Sequence, residues 1–187
     1  MRVFVALDIP QEVRSAIGAL ERRLEPECRG ARWVRLESMH VTLKFIGEAE
    51  DDKVARIQQE LSAVHSSAPV RIVFRGAGFF PNERHPRVFW AGMEAAPNLA
   101  ELAGEIEQRL EALGITREER AFKPHLTLAR FKSEEGLARL RAALAGAGPL
   151  EFGSMETREM HLYQSRLQRG GAVYTKLASF AFAGKSA

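Results

Sequence analysis

One tetrapeptide pattern occurs twice in this chain, and it constrains the fold more than any other feature. His40-Val41-Thr42-Leu43 returns as His125-Leu126-Thr127-Leu128, 85 residues further on. Alternating polar and apolar residues have the period of a strand. In each copy His and Thr therefore share one face while the apolar pair turns into a core. The same offset carries Arg2-Val3-Phe4-Val5-Ala6 onto Arg87-Val88-Phe89-Trp90-Ala91, with four identities in five. It also carries the first helix onto the third, and the strand at Val70 onto the region of Met155. The repeated unit reads strand, helix, motif strand, helix, strand, with one closing strand. The pattern predicts an α+β fold, a single domain over residues 1–187 made of two lobes related by a pseudo-twofold axis. Each lobe would place its His-Thr pair on a shared central cleft.

Local signals fill in the unit. Arg2 to Asp8 reads as the first strand. Pro10 suits the first turn of a helix carrying Val13, Ile17, Leu20 and Leu24. After Trp33-Val34 comes the first motif strand, His40 to Ile46. Acidic residues from Glu48 to Asp52 then favour the start of a second helix with Val54, Ile57, Leu61 and Val64. Val70 to Phe74 and Arg87 to Met93 read as strands. Two glycines and two prolines between Gly76 and Pro86 predict a loop. Leu99, Leu102, Ile106 and Leu110 mark the third helix. The second motif strand is Pro124 to Phe131, and the fourth helix carries Leu137, Leu140 and Leu144. Two late strands, Met155 to Tyr163 and Ala172 to Phe182, end the pattern.

Bulk properties narrow the function classes. The chain has 187 residues, 45% hydrophobic and 27% charged, which is ordinary for a soluble globular protein. A net charge of +3 does not diagnose nucleic-acid binding but suits a phosphate-bearing substrate. The lone cysteine, Cys28, forms no intrachain disulfide and builds no Cys-based metal site, so a reducing cytoplasm is expected. No run reaches the length of a membrane span, and the N-terminus lacks the form of a signal peptide.

The paired motifs supply two imidazoles and two hydroxyls. One imidazole can accept a proton while the other gives one, which is the equipment for splitting a phosphodiester without a metal. Zinc is the rival for any pair of histidines. It usually takes a third His, Asp, Glu or Cys, and neither H-E-x-x-H nor C-x-x-C occurs. The other histidines stand outside the pattern. His65 reads as solvated, His85 lies in a loop, and His161 is followed by Tyr163 where a threonine would be. Arg130 offers a planar fork for a phosphate. Five residues separate it from His125, so a regular strand would turn it to the wrong face, and a bulge would be needed to bring it back. The first copy has Phe45 in that place, which makes the site asymmetric. Trp90 reads as core, whereas Phe79-Phe80 is a candidate wall of the substrate path.

The two H-x-T-x motifs resemble those that define the 2H phosphoesterase superfamily. The strings Arg2-Val3-Phe4-Val5-Ala6, Trp33-Val34, His40 to Gly47, Pro124 to Arg130 and Leu162-Tyr163-x-Ser165 resemble its RNA 2′,3′-cyclic phosphodiesterase branch, also called 2′-5′ RNA ligase. The likeness runs over essentially the whole chain. It implies antiparallel sheets facing a central groove, with helices on their outer faces, no metal and no cofactor. The implied activity is hydrolysis of a terminal RNA 2′,3′-cyclic phosphate to a 2′-phosphomonoester. By the same resemblance His40 is the proton donor and His125 the proton acceptor, and Thr42, Thr127 and Arg130 bind the phosphate. The expected partners are RNA ends or oligonucleotides carrying the cyclic phosphate, with no membrane, and the protein is expected to act as a monomer. Two alternatives stay open from the residues. One is an enzyme whose main substrate is another ester, such as a 2′-5′ linkage or the reverse ligation. The other is a non-catalytic RNA-binding module.

Overall fold

The computed structural model describes residues 1–182. Along the chain run β1 (Arg2–Asp8), α1 (Gln11–Leu24), β2 (Ala31–Trp33), β3 (His40–Glu48) and α2 (Asp51–Ser62). These are followed by β4 (Val70–Phe80), β5 (Val88–Ala95), α3 (Asn98–Glu111), β6 (His125–Phe131), α4 (Leu137–Ala145), β7 (Glu151–Thr157), β8 (Glu159–Gln168) and β9 (Gly171–Ala181). The strands form two sheets, in the orders β3-β1-β8-β9 and β2-β6-β5-β4-β7, and every pairing is antiparallel. The fold is thus α+β with two sheet lobes.

Each sheet draws strands from both halves of the sequence. β8 and β9 complete the sheet that β1 and β3 begin, while β4 lies between β5 and β7 in the other. Neither half could build its sheet alone. The motif strands β3 and β6 touch where the two sheets meet.

Alternation along the strands separates a core face from an open face. On β1, Val3, Val5 and Leu7 are fully buried in the main core beside Val13 and Ile17 of α1 and Ile57 of α2. Phe4, Ala6 and Asp8 face the other way, where Phe4, Ala6 and Tyr163 form a small separate cluster against Tyr174. The helices carry their apolar residues at helical spacing: Leu99, Leu102, Ile106 and Leu110 of α3 are all buried.

Two segments differ from the sequence expectation. β4 continues through Gly76 and Gly78 to Phe80 rather than ending in a loop at Phe74. Gly76, at φ 72°, supports a shift of register between Phe74 and Ala77, and the missing side chain of Gly78 makes room for the Trp90 ring on β5. The strand expected from Met155 to Tyr163 is two strands, β7 and β8, which break at Arg158 and enter different sheets.

Candidate active site

His40 begins β3 and lies opposite Asp8 of β1 in the strand register. Its side chain is mostly buried and bordered by rings: Tyr163 at 4.5 Å, Tyr174 at 5.6 Å and Phe4 at 6.1 Å between centroids. Nδ1 lies 3.1 Å from the carbonyl oxygen of Ser38. A carbonyl only accepts, so Nδ1 carries the hydrogen and Nε2 is the atom left to exchange a proton. His125 begins β6 in the same manner. Its Nδ1–H donates to the carbonyl of Lys123 at 2.9 Å, and the Phe80 ring packs perpendicular to the imidazole with 5.2 Å between centroids. Both motifs therefore hold their histidine through the carbonyl two residues upstream and present Nε2.

Thr42 lies two residues beyond His40 on the same face, opposite Ala6, and is exposed. Thr127 takes the matching place on β6, opposite Trp90. Immediately after each threonine the strand bulges. Leu43 and Lys44 together oppose Val5, and Leu128 and Ala129 together oppose Phe89. Each bulge turns two consecutive residues inward and returns the next one to the motif face. That residue is Phe45 in the first copy, opposite Phe4, and Arg130 in the second, opposite Val88. Phe45 is half exposed, with the Arg2 guanidinium 4.8 Å from its ring centre. Arg130 is exposed, and on its other side β2 sets Arg32 directly opposite.

The bulge in β3 has a second effect. It sends Lys44 into the core, where Nζ donates to Glu107 Oε2 of α3 at 2.6 Å and to the carbonyl of Thr116 at 2.7 Å.

A cavity of about 360 Å³ opens beside His40, lined by Asp8, Arg14, Arg35, Tyr163 and Tyr174 among others. His125, Thr127 and Arg130 are not in its wall. Asp8 joins several of these groups. Its Oδ1 accepts the hydroxyl of Tyr163, its Oδ2 accepts Lys176 Nζ at 2.7 Å, and Nε2 of His161 stands 3.5 Å from Oδ2. Burial works against the Asp8 charge, but the Lys176 and Tyr163 donors outweigh it and hold the carboxyl below its ordinary range. Burial pushes His40 and His161 below the ordinary imidazole value, opposed at His40 by the Ser38 carbonyl and Asp8. Tyr163 is raised by burial and by its bond to Asp8.

Asp8, Arg14, Tyr174 and Lys176 are not marked by the sequence motifs. Asp8 has a signal, since it continues the Phe4-Ala6 face of β1 to the level of His40. Lys176 has none, because β9 reaches this place only through the exchange of strands between halves. His161 is buried, with Nδ1 bonded to Ser179 Oγ at 2.8 Å, and contacts the site through Asp8. Phe79 is core, whereas Phe80 backs His125. Trp90, expected in the core, lies on the face of Thr127 against Phe80, half-buried, because it alternates along β5 with Phe89 and Ala91, which take the inward places.

Known proteins match this arrangement over most of its length. The family model described as LigT like Phosphoesterase matches residues 7–90 and 93–174. A protein of Archaeoglobus fulgidus named RNA 2′,3′-cyclic phosphodiesterase is 36% identical over 180 residues, covering 96% of this chain and 99% of its own. The crystal structure of TT0787 of Thermus thermophilus superposes with a TM-score of 0.80 at 32% identity over 100% of both chains. That of E. coli LigT complexed with 3′-AMP does so with a TM-score of 0.80 at 28% identity over 98% of each.

Proposed function

The chain belongs to the LigT-like phosphoesterase family, and from that premise we propose that it hydrolyses the 2′,3′-cyclic phosphodiester at an RNA end to a 2′-phosphomonoester. His125 Nε2 takes a proton from water as the water oxygen attacks phosphorus in line with O3′. The P–O3′ bond breaks, and the Nε2–H of His40 passes its proton to O3′. The phosphate stays on O2′. His40 ends neutral and His125 ends charged, and exchange with solvent restores both. Thr42 and Thr127 donate hydroxyls to the non-bridging oxygens, and Arg130 holds the phosphate through its fork. Both motifs belong to one chain, so a monomer carries the full set of groups. The two halves are read as copies of one unit offset by 85 residues.

One observation carries the two-histidine reading. Each motif histidine commits its Nδ1–H to a carbonyl, which leaves Nε2 to exchange protons. A histidine kept only for packing would not need its tautomer fixed. General acid or base help is worth about 10² to 10⁴-fold per group, so two such groups account for a large part of an enzymatic rate. The test is incubation of an oligonucleotide ending in 2′,3′-cyclic phosphate, with separation of the 2′- and 3′-phosphate products. A 2′-phosphomonoester is expected. A 3′-phosphate would reverse the leaving group, and an unchanged oligonucleotide would remove the reading.

A further inference from the structure

We propose that Asp8 is a positioning residue that gives His40 the donor's role and, by its absence from the other motif, leaves His125 the acceptor's; this rests on the two-histidine reading above. Asp8 lies directly across the register from His40, with Oδ1 3.7 Å from Nε2. Because Nδ1 already carries a hydrogen toward Ser38, a neutral His40 would leave the bare lone pair of Nε2 within 3.7 Å of a carboxylate. A proton on Nε2 replaces that repulsion by attraction. The separation exceeds a hydrogen bond, so the Nε2–H is not committed to Asp8 and remains available to a leaving oxygen.

The surroundings single out Asp8. His40 is faced by Asp8 and Phe4 from β1, by Arg14 from α1, by Tyr163 from β8, and by Tyr174 and Lys176 from β9. His161 reaches it only through Asp8, and Glu37 and Arg35 line the cavity from the segment before β3. Arg14, Lys176 and burial all oppose a charge on His40. Among the described residues, Asp8 has the sole carboxylate within 4.0 Å of a His40 ring nitrogen, and no carboxylate lies that close to a ring nitrogen of His125. Tyr163, Lys176 and His161 hold Asp8 ionised and in place.

The test follows the His40 ring by NMR titration in the full chain, with the signal identified from His40→Gln, beside the pH dependence of kcat/KM on a cyclic-phosphate oligonucleotide. In Asp8→Asn the His40 pKa should fall by about one unit or more, the alkaline limb should move with it, and kcat/KM above neutrality should drop about tenfold or more. His125 should titrate unchanged. In Lys176→Gln, which removes a cation while Tyr163 and His161 still hold Asp8, the His40 pKa should rise. A His40 pKa that stays fixed or rises in Asp8→Asn would overturn the proposal, as would equal shifts at both histidines. A lowered His40 pKa with an unmoved alkaline limb would overturn it too, since His40 would not then be the donor. Should Asp8→Asn fail to fold, a Lys176→Gln shift in the wrong direction or of zero does the same. The titration is independent of turnover, so loss of the proposed function in the parent protein would be seen separately.

Discussion

Arg130 shares the open face of β6 with Thr127, three residues before it, because Leu128 and Ala129 are both turned inward opposite the single residue Phe89. In a regular strand those two residues would face opposite sides. The same bulge after Thr42 buries Lys44 and brings Phe45 to the open face. Two strands with one irregularity at one position thus end on different chemistry: a guanidinium on β6 and an aromatic ring on β3.

Arg130→Lys keeps the charge and loses the fork, so it tests whether bidentate contact matters. Arg130 is exposed and makes no intramolecular ion pair among the described residues, so neither Arg130→Lys nor Arg130→Ala should change stability by more than about 0.5 kcal/mol. Turnover of cyclic-phosphate RNA should fall by about 10² in Arg130→Ala, with Lys recovering only part. Full activity in Arg130→Ala would remove the residue from the site.

The parity of Arg130 also marks the limit of what the sequence makes legible. Alternation identifies both motif strands and the inward places of Val41, Leu43, Leu126 and Leu128, since local polarity tracks burial. Helical spacing marks the buried face of α3 at Leu99, Leu102, Ile106 and Leu110 for the same reason. The bulges are legible as a need and not as a location, because Lys44 and Ala129 differ in every property except position. The exchange of β4 and β8 between sheets leaves no local trace. Lys176 therefore reaches Asp8 from 168 residues away with nothing near either to announce it. Gly76 and Gly78 read as loop signals, yet their role is to pass the Trp90 ring and a register shift inside a strand.

His40→Ala and His125→Ala should each reduce hydrolysis by about 10² to 10⁴-fold. The far-ultraviolet circular dichroism should be unchanged, since both side chains hang from the open faces of their strands. The parent profile of kcat/KM should be bell-shaped, with the two limbs belonging to different histidines. Near-normal turnover in either variant, or a profile flat from acid to alkaline pH with chemistry limiting, contradicts the assignment.

Stability should depend on the same groups. His40 and His161 bind protons more weakly when folded than at their ordinary value of 6.5, because burial disfavours the charged ring. Below 6.5, down to their folded values, the unfolded chain holds more protons than the folded one, so stability rises with pH across that window. Acidification from pH 7 should lower Tm, with the loss levelling off once both rings are charged in the folded state as well. Asp8 adds a separate loss at lower pH, as the pH falls below its ordinary 3.8 toward its depressed folded value. Thermal melts from pH 8 to 5 at constant ionic strength measure the first effect, and His161→Gln should flatten the slope. A Tm that holds or climbs on acidification through this range is the contrary result.

Lys44 and Glu107 tie the first motif strand to α3 with side chains only 3% and 13% exposed, and removing one partner strands the other's charge in the interior. Breaking such a pair costs about 3–5 kcal/mol, whereas replacing both by apolar residues of similar volume is often neutral. Glu107→Leu and Lys44→Met should therefore each lower unfolding free energy in urea by about 3–5 kcal/mol. The double variant should recover most of the loss, giving a coupling energy of opposite sign to the single effects. Strictly additive losses would mean that the two side chains do not depend on each other. Because Lys44 is held inward by the bulge that also orients Phe45, the double variant should keep turnover close to the parent's, which separates the anchoring of β3 from the chemistry on its opposite face.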